Sequence, residues 1–309
     1  MSERTVRPQN MHTADPLLPT LELPIPGEKP ISRRIWLKRI CGGAAAVVGY
    51  TFWIEPFWVD VVRRPLPIAK LPQRLVGRTL VQLSDLHVGP QVSDKFLRRC
   101  FRLTKSLEPD YVVITGDYLT LIPNVGPPWE QLEAVLPEIP NGRYGTVGIL
   151  GNHDYGKDWF QNEIPLRLCA LLEDRGVRVL RNAWQDFDGL RIAGLDDVWG
   201  PKFHPEPTLK AWDPQQPSLV LCHNPDAMDK PIWQGYQGWT LSGHTHGGQC
   251  KPPFLPPPLL PVRNLRYTAG EFAIAGGRNL YINRGLGHLM AVRFNARPEI
   301  TLFTLVPQA

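Results

Sequence analysis

An aspartate and a histidine two residues apart, Asp85-Leu86-His87, stand just past a short apolar run, Thr79 to Leu83. In an extended segment leaving a strand, alternate side chains share a face, so this pair can reach one cation. Four more groups of this kind follow: Gly116-Asp117, Gly151-Asn152-His153-Asp154, Cys222-His223-Asn224 and Gly243-His244-Thr245-His246-Gly247-Gly248-Gln249. The glycine before Asp117 permits a tight turn with the carboxylate at its tip. With two oxygens and several lone pairs, Asp117 is the natural candidate to bridge two cations. Singly, each group has a plain explanation, Asn152 as a turn residue and His223 as a core or surface histidine. Together they hold five of the eight histidines, His87, His153, His223, His244 and His246. That concentration points to mixed oxygen and imidazole ligation of metal ions.

The groups need strands to position them. Thr79–Leu83, Tyr111–Thr115 and Thr146–Leu150 are short apolar runs with β-branched residues, each leading into a polar turn. Ser93 is placed to cap a helix carrying Phe96, Leu97, Cys100, Phe101 and Leu107 on one side. A second helix carries Ile164, Leu168, Leu171 and Leu172, followed by strands around Val177–Leu180 and Arg191–Leu195. The later chain is strand-rich: Ser218–Cys222, Gly238–Leu241, Phe272–Ala275, Asn279–Ile282, Ala291–Phe294 and Ile300–Leu305. This order predicts an α/β fold of two packed sheets flanked by helices, with every motif beyond the carboxyl end of a strand, where ligands sit in such folds.

The chain carries 33 prolines, many of them before residue 31 or between Pro252 and Pro261. The first cluster predicts a disordered leader over 1–31. The second predicts one long loop whose Phe254, Leu255, Leu259 and Leu260 form either a packed surface loop, the favoured reading, or an apolar wall near His246 that would suit a lipid-like leaving group. The formal charge of +5 is spread without a basic, aromatic-interleaved run, so no nucleic-acid partner is expected. Five scattered cysteines include no Cys-x-x-Cys pair, which argues against a zinc knuckle or thioredoxin-type site. Residues 32–58 join Ser-Arg-Arg-Ile-Trp-Leu-Lys to an uncharged stretch, Cys41–Ile54, the layout of a secretory signal. Arg33-Arg34 with Leu37-Lys38 behind them resembles the twin-arginine export signal, implying a twin-arginine translocase as partner. As a helix the 14 uncharged residues would span about 21 Å, short of a roughly 30 Å hydrocarbon core. Trp53, Phe57 and Trp58 suit a membrane interface, so an uncleaved anchor and a released enzyme both stay open. Membrane association at the cell envelope, periplasmic or on the outer face of the inner membrane, is expected.

The series Asp85-x-His87, Gly116-Asp117, Gly151-Asn152-His153-Asp154, His223 and Gly243-His244-x-His246 resembles the calcineurin-like metallophosphoesterases. The phrases Ser84 to His87, Gly243 to Gln249, Gly285-Leu286-Gly287 and Arg297-Pro298-Glu299-Ile300 are similar, more narrowly, to the YkuE-like branch. The resemblance implies a phosphoesterase domain over 71–309 with that family's four-layer α/β/β/α sandwich of two mixed sheets. It implies Asp85, His87 and His246 around a first metal, Asn152, His223 and His244 around a second, and Asp117 bridging. Such mixed ligation suits Mn, Fe or Zn better than Mg or Ca, and Mn is favoured.

The implied reaction is attack on a phosphomonoester or phosphodiester by a hydroxide held between two cations. His153, next to the ligand Asn152, is assigned to transition-state stabilisation or leaving-group protonation, since neighbouring residues rarely face one ion together. Asp154 either orients His153 or is a turn residue. Asp196-Asp197 is expected in a solvated turn, with support behind the metal ligands as the lesser reading, Asp226 as a helix cap, and His204 and His288 as structural or surface residues. Two alternatives remain: a UDP-diacylglucosamine pyrophosphohydrolase acting on a lipid-linked substrate, and a non-catalytic metallophosphoesterase-like scaffold.

Overall fold

The computed structural model describes residues 32–122 and 125–308; the proline-rich leader expected over 1–31 lies outside them. The chain divides into two units, 1–44 and 45–309. The described part of the first is helical and opens α1, Arg33–Gly49. A wide π turn, Tyr50–Ile54, and a 3-10 turn, Glu55–Phe57, follow. Arg33–Phe57, 25 residues, is long and apolar enough by length and composition to cross a membrane. This differs from the shorter span expected, because the helix takes in the basic residues from Arg33 onward and continues past Ile54.

Among the described residues, the second unit has twelve strands in two six-stranded sheets. They are β1 (Asp60–Ile68), β2 (Thr79–Leu83), β3 (Tyr111–Ile114), β4 (Gly145–Gly148), β5 (Val177–Val179) and β6 (Ala183–Phe187) in the first half. The second half adds β7 (Leu190–Gly194), β8 (Ser218–Leu221), β9 (Gly238–Ser242), β10 (Gly270–Ile274), β11 (Arg278–Ile282) and β12 (Glu299–Pro307). One sheet runs β1-β12-β2-β3-β4-β5 and the other β10-β11-β9-β8-β7-β6. Both are mixed: β2 to β5 are parallel, as are β7, β8, β9 and β11, while β12 meets β2, β10 meets β11 and β6 meets β7 antiparallel.

Side-chain alternation builds the layers. On β3, Tyr111 and Val113 point between the sheets, against Leu219, Leu241 and Tyr281. Val112 and Ile114 point the other way, toward α2 (Asp94–Lys105), α3 (Trp129–Val135) and α4 (Glu163–Glu173). Ser93 caps α2, accepting from Phe96 N at 3.3 Å. The outer layer on the second sheet is thinner: α5 (Glu206–Lys210), the turn Pro225–Asp229 and a cluster with Trp233 and Tyr236. The expected α/β sandwich of two mixed sheets with flanking helices is therefore present.

Two elements depart from expectation. The first sheet takes in β1, upstream of the boundary placed near Leu71. Its sequence, Asp-Val-Val-Arg-Arg-Pro-Leu-Pro-Ile, has no clean alternation. As an edge strand paired only with β12 it tolerates Pro65 and Pro67. Conversely, Ala291–Phe294 forms no strand. Arg293 N donates to Thr51 O at 3.0 Å and Phe294 N to Gln249 O at 2.8 Å, so this backbone is satisfied by loops and carries only an isolated bridge, Cys250 to Phe294.

Candidate metal centre

The parallel strands of both sheets deliver their carboxyl ends to one edge. Asp85 leaves β2, Asp117 leaves β3, Asn152 follows β4, His223 leaves β8, and His244 and His246 leave β9. Asp85, His87 and His246 form one buried cluster, and Asp117, His223 and His244 a second, each with its potential ligand atoms within 4.8 Å of one another. His87 Nε2 lies 3.1 Å from His246 Nε2, and His246 Nε2 lies 3.3 Å from Asp85 Oδ1. In the second cluster His223 Nε2 is 3.3 Å from His244 Nδ1. Asp117 joins them: its Oδ2 is 3.6 Å from His87 Nε2 and 3.2 Å from His223 Nε2.

The chain reaches this arrangement by a route the sequence did not suggest. Asp85 and His87 are not extended; their φ values are 51° and 48°. Asp117, His244 and His246 are also left-handed, at 55°, 72° and 52°, a conformation uncommon outside glycine and typical of functional turns. The turns bond to one another across the strand ends. Asp85 N donates to Gly116 O at 2.9 Å and His87 N to Asp117 O at 3.0 Å. Gly116 has φ of 91°, and a Cβ there would sit 2.9 Å from His223 Nδ1. Gly243 lies so close to Ser84 and Asp85 that no side chain fits.

Outer atoms fix the rings. His223 Nδ1–H donates to Thr115 O at 2.7 Å and His244 Nε2–H to Pro261 O at 2.7 Å, which turns His223 Nε2 and His244 Nδ1 inward. Burial works to lower His223, but the Asp117 charge raises it well above the usual histidine range, so the ring holds a proton that a cation would displace. His87 Nδ1 is 2.8 Å from Thr120 Oγ1. Burial holds His87 and His244 down to about 3, so both imidazoles are neutral and ready to ligate at neutral pH. Burial, reinforced by the neighbouring Asp117 charge, pushes Asp85 up to about 7. Burial also works to raise Asp117, but the surrounding imidazoles, His223 foremost, hold it well below the usual carboxylate range. Crowded lone pairs and carboxylates of this kind call for a cation between them. Asn152 gives an independent test of fit: it is buried, and its Oδ1 has no hydrogen-bond partner among the described residues. A neutral oxygen that makes no other bond suits a metal ligand.

His153 stands outside both clusters. Its backbone N donates to Asp117 Oδ1 at 2.9 Å, and its half-buried ring packs edge-on against His87, centroids 5.0 Å apart. Asp154 shows no bond to the His153 ring. Its carboxylate accepts instead from Tyr118 N (2.8 Å), Leu119 N (3.1 Å) and Gly151 N (2.9 Å). Asp154 thus serves as a turn residue, one of the two readings made of it, and ties the Asp117 turn to the Asn152 turn without a contact that would orient His153. Asp196 and Asp197 are buried, not solvated. Asp196 takes bonds from the Tyr155 hydroxyl and Arg181, and burial pushes Asp197 up to about 6. The cap of the turn at Pro225 is Asn224, which accepts from Asp226 N at 2.9 Å. Asp226 accepts from Arg263 N and Asn264 N. His288 is buried and 3.0 Å from Gln91 O, whereas His204 is exposed.

Three side chains around the centre escaped the sequence. Trp159 packs edge-on to His153 at 4.8 Å and Trp199 edge-on to His244 at 4.6 Å, the two indoles 6.3 Å apart. They line one side of the centre from one cluster to the other. Arg293 is fully buried and, among the described residues, bonds only carbonyls: those of Arg284, Gly285, Gly287 and Ala296. Neither tryptophan belongs to a ligand motif, and Arg293 lies in a run that reads as a strand.

Two sheets deliver two linked clusters of oxygen and imidazole donors to one edge, and the family comparison identifies such a centre with metal-dependent phosphoester hydrolysis. Residues 78–248 match the calcineurin-like phosphoesterase family, and the chain belongs to it. It is 32% identical over 296 residues to the uncharacterized metallophosphoesterase YkuE of Bacillus subtilis, covering 90% of this chain and 98% of that protein. It is 30% identical over 287 residues to the phosphodiesterase YaeI of Escherichia coli, covering 89% and 100%. Against the UDP-2,3-diacylglucosamine pyrophosphatase LpxG of Chlamydia trachomatis it is 29% identical over 300 residues, covering 81% and 90%.

Proposed function

We propose that the protein hydrolyses a phosphomonoester or phosphodiester with two divalent transition metals, Mn favoured over Fe or Zn, at the cell envelope. The observation that carries this reading is the single oxygen Asp117 Oδ2, facing His87 Nε2 at 3.6 Å and His223 Nε2 at 3.2 Å. In this reading Asp85, His87 and His246 hold one ion, Asn152, His223 and His244 the other, and Asp117 bridges. When bound, the ions supply Lewis acidity toward the phosphate oxygens and a water acidic enough to attack near neutral pH.

The protein does the rest with fixed groups. Outer hydrogen bonds to Thr115 O and Pro261 O lock two ligand rings in the tautomer that ligation requires. His153 is anchored through its backbone to the bridging carboxylate, which places an imidazole beside the centre without spending it on ligation. Its role is to meet charge developing on a non-bridging oxygen or to deliver a proton to the leaving oxygen. Trp159 and Trp199 pack edge-on against His153 and His244 and restrict how those rings turn. The basic start of α1 and its apolar continuation support a twin-arginine route to the envelope.

The test is His153→Ala. We expect full metal occupancy by elemental analysis with turnover of a chromogenic phosphodiester falling about 10²-fold or more. Loss of metal in parallel with activity would refute the non-ligand role. The similarity to LpxG favours one second reading, hydrolysis of a lipid-linked pyrophosphate, and a substrate screen that includes one separates the two.

A further inference from the structure

Beside His246 a cavity of about 360 Å³ opens to the surface, within the size range of small-ligand sites. Its walls come from the proline-rich loop (Pro258, Leu259, Leu260) and from Leu289, Met290 and Val292. The lining is almost wholly apolar, yet one wall is the metal-cluster residue His246 itself. The proline-rich loop is therefore not a plain surface loop. Pro261 O accepts from His244, so the segment that walls the cavity also orients a side chain of the second cluster.

The cavity mouth is rimmed by side chains that a water-facing rim would not carry. Leu259 is 72% exposed, Met290 58% and Leu289 41%, with Phe254 and Leu255 further out on the same loop. The chain that continues from Val292 meets the turn at Tyr50–Ile54, where Arg293 N donates to Thr51 O and Ala296 N to Glu55 Oε1. On that turn Thr51 is buried, whereas Phe52, Trp53 and Ile54 are exposed. An exposed tryptophan beside exposed aliphatic side chains is the composition of a membrane interface.

We propose that this cavity is an acyl-chain subsite, so that the substrate is a phosphorylated lipid whose phosphate sits at the metal pair while its chain leaves past His246 into the apolar pocket. The proposal rests on the phosphoesterase reading above and narrows its substrate class. The occupant is an acyl chain because the pocket adjoins the reacting centre, offers mostly apolar surface despite Thr245 and Gln249 in its lining, and opens among exposed aliphatic side chains. A polar leaving group would leave its hydrogen bonds unmade there.

Alkyl p-nitrophenyl phosphates of increasing chain length, held below their micelle concentrations, test this with the metal-loaded enzyme. We expect kcat/KM to rise about four-fold per added methylene until the cavity is full. Met290→Glu and Leu260→Trp, each checked for a wild-type melting curve, should flatten that dependence at least ten-fold over the series. A readout free of turnover runs beside it: binding of cis-parinaric acid by metal-free protein, saturable in the wild type and lost in both variants. Probe binding without hydrolysis of any ester would sink the phosphoesterase reading and leave the acyl subsite standing. Hydrolysis that ignores chain length, with no probe bound, overturns the subsite. So does a dimer in light scattering whose formation competes with the probe, since the face would then belong to a second copy.

Discussion

Replacing Asp154 by alanine separates a residue that builds the site from one that takes part in its chemistry. The carboxylate is fully buried and accepts from three backbone N–H groups, at Tyr118, Leu119 and Gly151. Alanine leaves all three donors without a partner in a place water does not reach. Each unmade buried bond costs about 1–3 kcal/mol. Allowing for partial relaxation, the loss is about 3–6 kcal/mol, a large share of the roughly 5–15 kcal/mol that holds a domain together. At about 2–4 °C per kcal/mol for a domain of this size, the midpoint should fall by roughly 6–24 °C. Because the three donors belong to the Asp117 and Asn152 turns, metal affinity should weaken with stability. Thermal unfolding of metal-free protein measures the first, and isothermal titration of Mn the second. An Asp154→Ala protein that melts like the wild type and holds metal equally well, yet has lost turnover, would refute this account and restore a role through His153.

Other perturbations probe the neighbouring layers. Asp117→Asn should lose metal by elemental analysis, because one oxygen then has to serve two ions without its charge; unchanged content counts against bridging. Chelation should lower the midpoint without unfolding the protein, by about 8–16 °C relative to protein in metal at a thousandfold Kd, since such binding contributes about 4 kcal/mol. A chelated protein without near-ultraviolet circular dichroism would contradict that. Arg293→Met should weaken Mn binding about 10–100-fold. Arg293 grips the carbonyls of Gly285 and Gly287, and Gly287 N in turn donates to Asp85 O at 2.7 Å. Unaltered affinity in a folded variant would remove Arg293 from the support of Asp85.

The sequence disclosed the centre better than the frame around it, for a physical reason. Metal-ligand chemistry demands particular side chains, so motifs that are plain one at a time stood out together, and the structure gathers Asp85, His87 and His246 into one cluster and Asp117, His223 and His244 into another. Strands β2, β3, β8 and β9, buried on both faces, read as short apolar runs. Edge strands have no such requirement: β1 carries Arg63, Arg64 and two prolines, and β6 is Ala-Trp-Gln-Asp-Phe with no fully buried residue. Long-range polar bonds were equally silent. Nothing local tells that Asp154 serves Tyr118 and Leu119, or that the guanidinium of Arg293 is turned inward within a run of strand-forming residues. The tryptophans are legible only as bulk until the fold sets Trp199 against His244.

Backbone geometry was the feature farthest from reach. An extended Asp-x-His segment would present both side chains to one face, which made it the simple expectation. The chain instead turns left-handed at Asp85, His87, Asp117, His244 and His246, at about 1–2 kcal/mol each for a residue with a Cβ. Aspartate and histidine tolerate that region better than β-branched residues do, so ligand identity and backbone demand coincide. What offsets the strain is visible past the strand ends. Val88 N bonds Tyr118 O at 2.8 Å and Thr120 N bonds Val88 O at 2.9 Å, so the pairing of β2 with β3 resumes beyond the turns. Gly243 N bonds His223 O at 3.0 Å, doing the same for the other sheet. The turns that carry these residues are therefore bordered by ladder bonds that continue the sheets past the strand ends. Because those bonds need no cation, chelation is expected to cost the metal-loaded protein the stability that binding contributes yet leave its tertiary structure in place.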